Sequence, residues 1–196
     1  ASVQMYDKDN RLIDEENTAS TAYAQLGELS PYTTEAFISI EDKNVYNHHG
    51  LNYKRMVKAS ISNISTKSLK EGASTISQQL IKNTHLSSEK TFERKLKEIS
   101  LTRKLEKAYS KDKILERYLN VIYYGNNCYG IANAANYYFS KPAAEHNLEE
   151  SALLAGMIKS PSKFSPITKE EAALARRNLV LDEMKKDGYI TEEQAE

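Results

Sequence analysis

The chain has 196 residues, enough for one domain with a sizeable core and marginal for two. Its 27 Lys and Arg balance its 27 Asp and Glu, so the formal net charge is zero, which argues against a bulk electrostatic nucleic-acid binder. One cysteine, Cys128, excludes an internal disulfide and a thiolate metal cluster, and no apolar run approaches the ~20 residues of a membrane span.

The opening Ala1-Ser-Val-Gln is not a signal peptide. Val3 to Ile13 reads as extended, with a turn at Asp9-Asn10, and helical periodicity dominates the rest. A helix is expected after Pro31, carrying Ala36, Phe37 and Ile40 inward and ending near Asp42-Lys43, with Gly50 suited to a left-handed stop. From 53 to 64, apolar Tyr53, Met56, Val57, Ile61 and Ile64 alternate with Lys54, Arg55 and Lys58. Thr75-x-x-Gln78 resembles a capping box that starts a helix through about Asn83. A long helix from about Ser88 to Ala108 is expected to bury Phe92, Leu96 and Ile99. Another covers roughly Lys111 to Tyr123 and breaks at Gly125-Asn126-Asn127. An apolar helix over 149–159 and a loop bracketed by Pro161 and Pro166 follow. Thr168-x-x-Glu171 reads as a second capping box, and Gly188 ends the helix it opens. There is no internal repeat, and the reading is one compact, mainly α domain.

Three groups of residues could carry chemistry. Glu41-Asp42 places two carboxylates at a helix C-terminus, where the dipole, partial burial and a like charge all raise a carboxylate pKa towards that of a general base. Gly72 to Asn83 leads small residues into a helix N-terminus, where amides, Ser74 and Thr75 could meet an anion. Gln79, Lys82 and Asn83 share the next turn of its face. Lys90, Arg94 and Glu98 fall on one helix face, with Lys95 beside them, as a phosphate track with a carboxylate at its end. Taken singly, each pattern is more often a solvated structural surface. His48 and His49 lack zinc-ligand spacing, and no Gly-x-Ser-x-Gly is present.

In order, the groups are far more specific. Glu41-Asp-Lys-Asn-Val-Tyr-Asn-His-His-Gly50 resembles the first motif of the peptidoglycan glycosyltransferase family, found in class A penicillin-binding proteins and monofunctional transglycosylases. Gly72–Asn83, Arg94–Glu98, Lys113–Asn120 with Gly125, and Arg176–Leu181 are similar to the second to fifth motifs. Relatives usually carry Phe where Val45 stands, Gly at Ala73 and often Arg at Lys90.

The resemblance implies a lysozyme-like helical domain spanning 1–196, with a smaller, mobile, membrane-facing lobe over about 51–70. It further implies a transmembrane anchor before this domain and a transpeptidase after it in the full-length protein. The implied activity polymerises lipid II into β-1,4-linked glycan at the extracytoplasmic face of the bacterial membrane and releases undecaprenyl pyrophosphate. Glu41 would be the base. Glu98 would be catalytic, holding a divalent cation (Mg2+ or Mn2+) or orienting the basic residues. Asp42, His48, Ser74, Thr75, Gln78, Gln79, Lys82, Asn83, Lys90, Arg94, Lys95 and Asn120 would bind substrate. Expected partners are lipid II, the growing strand, the membrane surface, other cell-wall synthesis proteins and moenomycin-type inhibitors, with no nucleic acid. The competing reading is a lysozyme-like enzyme that cleaves glycan.

Overall fold

The computed structural model describes residues 3–6, 12–16, 23–58 and 74–196, the first two segments as backbone. These two are β1 (Val3–Tyr6) and β2 (Leu12–Glu16), an antiparallel hairpin pairing Val3 with Glu16. The expected turn at Asp9-Asn10 lies outside the described residues. Helices form the rest: α1 (Pro31–Glu41), α2 described over 53–58, α3 (Ile76–His85) and α4 (Phe92–Ala108) come first. They are followed by α5 (Lys111–Val121), α6 (Ile131–Phe139), α7 (Leu148–Met157), α8 (Glu170–Lys186) and the short α9 (Glu192–Ala195). No helix among the described residues is long and apolar enough to cross a membrane.

Local chemistry sets the helix ends. Pro31 occupies the first turn of α1, where its missing N–H costs nothing. The Thr75–Gln78 capping box forms as expected, and Asn147–Glu150 and Thr191–Gln194 make two more. The box expected at Thr168 does not form; Lys169 is the α8 N-cap and makes no side-chain cap bond. The α5–α6 connection turns through Gly125, Asn126 and Asn127, all at positive φ, and Tyr123 then bridges Tyr129. Gly130 has φ +84°, and a Cβ there would lie 2.6 Å from the Asn120 carbonyl oxygen, so this crossing requires glycine.

The core lies where α1 packs on α7 and α8, and α3 on α5. Phe37 sits at its centre, edge-on to Tyr118 and Tyr124 with both centroids at 6.3 Å, and all three are fully buried. Gly156 lets α7 approach α8 closely, since a Cβ there would meet Arg176 Cγ at 2.9 Å. The segment before α1 is strapped to α5. Glu116 accepts from Tyr23 Oη and Leu26 N, while Asn120 accepts from Ala24 N and donates to Ala24 O.

The long helix α4 reverses one expectation. Phe92 is 80% exposed and Leu96 53%, whereas Glu98 and Thr102 are fully buried. Hydrophobicity alone orients a helix only when no polar group has a stronger claim on the interior. Here the Glu98 carboxylate has three cations around it, and that arrangement turns Phe92 and Leu96 outward.

Candidate active site

Glu41 is the last residue of α1 and is partly buried at the edge of a groove of about 340 Å³ shared with Ser39, Asn44, Lys54 and Arg55. Burial pushes its carboxyl above the ordinary range, opposed by a hydrogen bond from Gln79 and by the charges of Arg176, Arg55 and Lys159. Burial, and not Asp42, is thus the source of the shift. Gln79 Nε2 donates to Glu41 Oε2 at 3.2 Å, and Tyr118 Oη donates to Gln79 Oε1 at 2.9 Å. A larger cavity, about 810 Å³, lies behind the His48 loop among Asn47, Tyr53, Arg103 and Lys107. Glu41 does not line it.

One turn along α3 from Gln79, Lys82 points to a second carboxylate. Glu98 lies 3.9 Å from Lys82 Nζ, 3.7 Å from Arg94 Nη2 and 3.2 Å from Lys95 Nζ. Neither Glu98 oxygen has a well-formed hydrogen bond, so charge holds the cluster together. Lys82 Nζ also donates to Ser74 Oγ at 3.0 Å. Burial, with Lys95 and Arg94 nearby, pushes the Lys82 amine down, and Glu98 opposes that. The two carboxylates that the motifs single out therefore flank one face of α3.

Glu98 offers a divalent cation one carboxylate, so its other ligands would have to come from a bound pyrophosphate. Among the described residues no three His, Cys, Asp or Glu side chains converge. Glu98 already has three positive neighbours, which would repel a dication.

Several of the expected substrate-binding groups also make hydrogen bonds within the protein. Asp42 is buried; His48 Nε2 lies 2.9 and 2.7 Å from its two oxygens, and it accepts from Ile76 N at 3.1 Å. His48 Nδ1 accepts from Gly50 N, which leaves Nε2 to donate to Asp42. Thr75 donates to Gly50 O at 2.6 Å and caps Gln78 N, and Gln78 Oε1 accepts from Thr75 N. Asp42 thus already places one anion at the α3 N-terminus. The Asn120 carboxamide is saturated by Ala24 and the Glu116 carbonyl, because the strap before α1 needs it. Asn83 and Lys90 are exposed and stand outside the cationic cluster. Gly72 and Ala73 lie outside the described residues.

Sequence reasoning missed Tyr118 and Arg176 as neighbours of Glu41. Both fall inside the fourth and fifth motifs, so the motif positions were the available signal. Arg176 Nε donates to Gly156 O at 3.1 Å, and its guanidinium lies 5.6 Å from the Phe164 ring centre.

Known proteins share this chain's sequence and fold. The transglycosylase family model matches residues 9–185. The chain is 42% identical over 193 residues to penicillin-binding protein 1A of Aquifex aeolicus, covering 98% of this chain and 27% of that protein. It is 41% identical over 194 residues to penicillin-binding protein 1A/1B of Bacillus subtilis, covering 98% of this chain and 21% of that one. The crystal structure of penicillin-binding protein 1A from Haemophilus influenzae superposes with a TM-score of 0.54 at 25% identity, covering all of this chain and 20% of that one. The chain thus spans about a quarter or less of the length of these relatives, and on the family match over residues 9–185 and these identities the chain belongs to the transglycosylase family.

Proposed function

We propose that this domain polymerises lipid II into β-1,4-linked glycan strands, as a peptidoglycan glycosyltransferase. The observation that carries the reading is the shared face of α3. Gln79 holds Glu41, a carboxylate with a raised pKa, and Lys82 one turn away belongs to a three-cation cluster. The acceptor 4-hydroxyl loses its proton to Glu41 as its oxygen attacks the anomeric carbon of the donor. The bond from that carbon to the lipid pyrophosphate breaks with inversion. General-base help of this kind is worth ~10²–10⁴-fold. Lys82, Arg94 and Lys95 neutralise the departing pyrophosphate, and Glu98 gathers them. No step needs a divalent ion held by Glu98. A glycan-cleaving enzyme would leave these three cations without a task.

The place of work is the extracytoplasmic membrane surface. On α2, Tyr53 and Val57 are 59% and 60% exposed beside exposed Lys54 and Lys58, a pattern suited to a bilayer interface. The rest of the lobe expected over 51–70 lies outside the described residues.

Glu41→Gln tests the reading, with lipid II as substrate in one arm, preformed glycan strands in a second, and product length as readout. Wild type should give long glycan from lipid II and the variant none, with an unchanged circular dichroism spectrum. Wild-type-like polymer from the variant removes Glu41 as base, and shortening of the preformed strands by the wild type establishes the cleaving reading instead.

A further inference from the structure

Gln79 is the only side chain that donates a hydrogen bond to the Glu41 carboxylate among the described residues. A carboxamide has a donor end and an acceptor end of nearly equal shape, so something must choose which end faces Glu41. We propose that Tyr118, fully buried in the core, is a positioning residue for Glu41: its hydroxyl fixes the Gln79 carboxamide with the N–H₂ end towards the carboxylate. The inference rests on Glu41 acting as the base.

The geometry forms a chain. Tyr118 Oη donates to Gln79 Oε1 at 2.9 Å, and Gln79 Nε2 donates to Glu41 Oε2 at 3.2 Å. A half-turn of the carboxamide would set its carbonyl against the carboxylate. It would also leave the phenol hydrogen without an acceptor in a site closed to water, which is costly. The phenol resists ionisation, because burial and the nearby Glu41 push its pKa well above the usual tyrosine value. Tyr118 therefore stays a donor throughout the working pH range. The remaining groups that face Glu41 act through charge: Arg55 on α2, Lys159 after α7 and Arg176 on α8. Asp42, next in sequence, is turned to His48. None of these interactions involves the Tyr118 hydroxyl.

Tyr118→Phe keeps the ring that Phe37 packs against and removes only the donor. Gln79 then loses its fixed orientation, and Glu41 loses part of a charge-assisted hydrogen bond. The Glu41 midpoint, followed by carboxyl ¹³C NMR and assigned with Glu41→Gln, should rise by roughly one pH unit. The acid limb of kcat/KM for polymerisation should rise with it. Tyr124→Phe is the control, since Tyr124 sits in the same core but donates to the Leu119 carbonyl. It should leave the Glu41 midpoint unchanged. An unshifted midpoint in Tyr118→Phe, or an equal shift in Tyr124→Phe, overturns the proposal. A shifted midpoint with an unshifted rate profile upholds the positioning role and counts against Glu41 as base.

Discussion

Glu98→Gln isolates what a buried carboxylate does among three cations. Charges at 3.2, 3.7 and 3.9 Å attract by roughly 4–5 kcal/mol each at an effective dielectric near 20. That gross figure is offset by the cost of burying Glu98, and Lys82 and Lys95 are more than a third exposed, so solvent screens both. The expected net loss on neutralising Glu98 is about 2–3 kcal/mol, a fall in Tm of roughly 5–10 °C for a domain of this size. Lys82 also loses the group that holds its pKa up, so its amine should deprotonate at lower pH than in wild type. Added pyrophosphate should restore stability, and should do so more in the variant, where it finds three uncompensated cations. Differential scanning fluorimetry across a pyrophosphate titration at pH 7 measures both effects. An unchanged Tm, or equal pyrophosphate stabilisation of the two proteins, refutes the view that Glu98 gathers this cluster by charge.

The rate of polymerisation should follow a bell in pH. It should rise as Glu41 ionises, above the ordinary carboxylate range, and fall as Lys82 deprotonates, below the ordinary lysine range; initial rates across pH check both limbs. Gly130→Ala and Gly188→Ala put a side chain at similar positive φ, +84° and +81°, but only the first meets backbone. Gly188→Ala should cost about 1 kcal/mol and Gly130→Ala clearly more, measured by urea unfolding. Glu116 is held at about 2, first by Lys113 and then by Tyr23 and the Leu26 amide. With its folded pKa depressed, it stabilises the fold above the ordinary carboxylate range and loses that contribution as pH falls towards 2. The Tm gap between wild type and Glu116→Gln should therefore be widest near neutrality and shrink in acid.

Most helices were legible because their signals are local. Pro31, the Thr75–Gln78 pair and Gly188 mark ends that depend on a few neighbouring residues. Motif order, which no single residue carries, singled out the two carboxylates that the structure sets against α3. The bonds that Asp42, Thr75 and Gln78 make within the protein were not legible, because a polar side chain beside a helix N-terminus can serve a ligand or the helix itself with the same sequence. Phe92 and Leu96 were misplaced for a different reason. Period alone does not show which face of α4 turns inward when a buried ion cluster claims the other one. Tyr118 and Arg176 approach Glu41 only through tertiary packing, one from α5 and one from α8.

The bonds that hold Gly50 beside the start of α3 have a consequence for how this domain could change. Asp42 accepts from Ile76 N, and Thr75 donates to Gly50 O at 2.6 Å, so Gly50 and the start of α3 are fastened side by side. The two feet stand side by side on bonds of their own. Lengthening the excursion between them adds only about 0.6 kcal/mol of closure entropy per doubling. An insertion between Lys58 and Ser74 should therefore leave these fastenings in place, together with the Arg55 bond to Glu41 O and the Lys82 bond to Ser74.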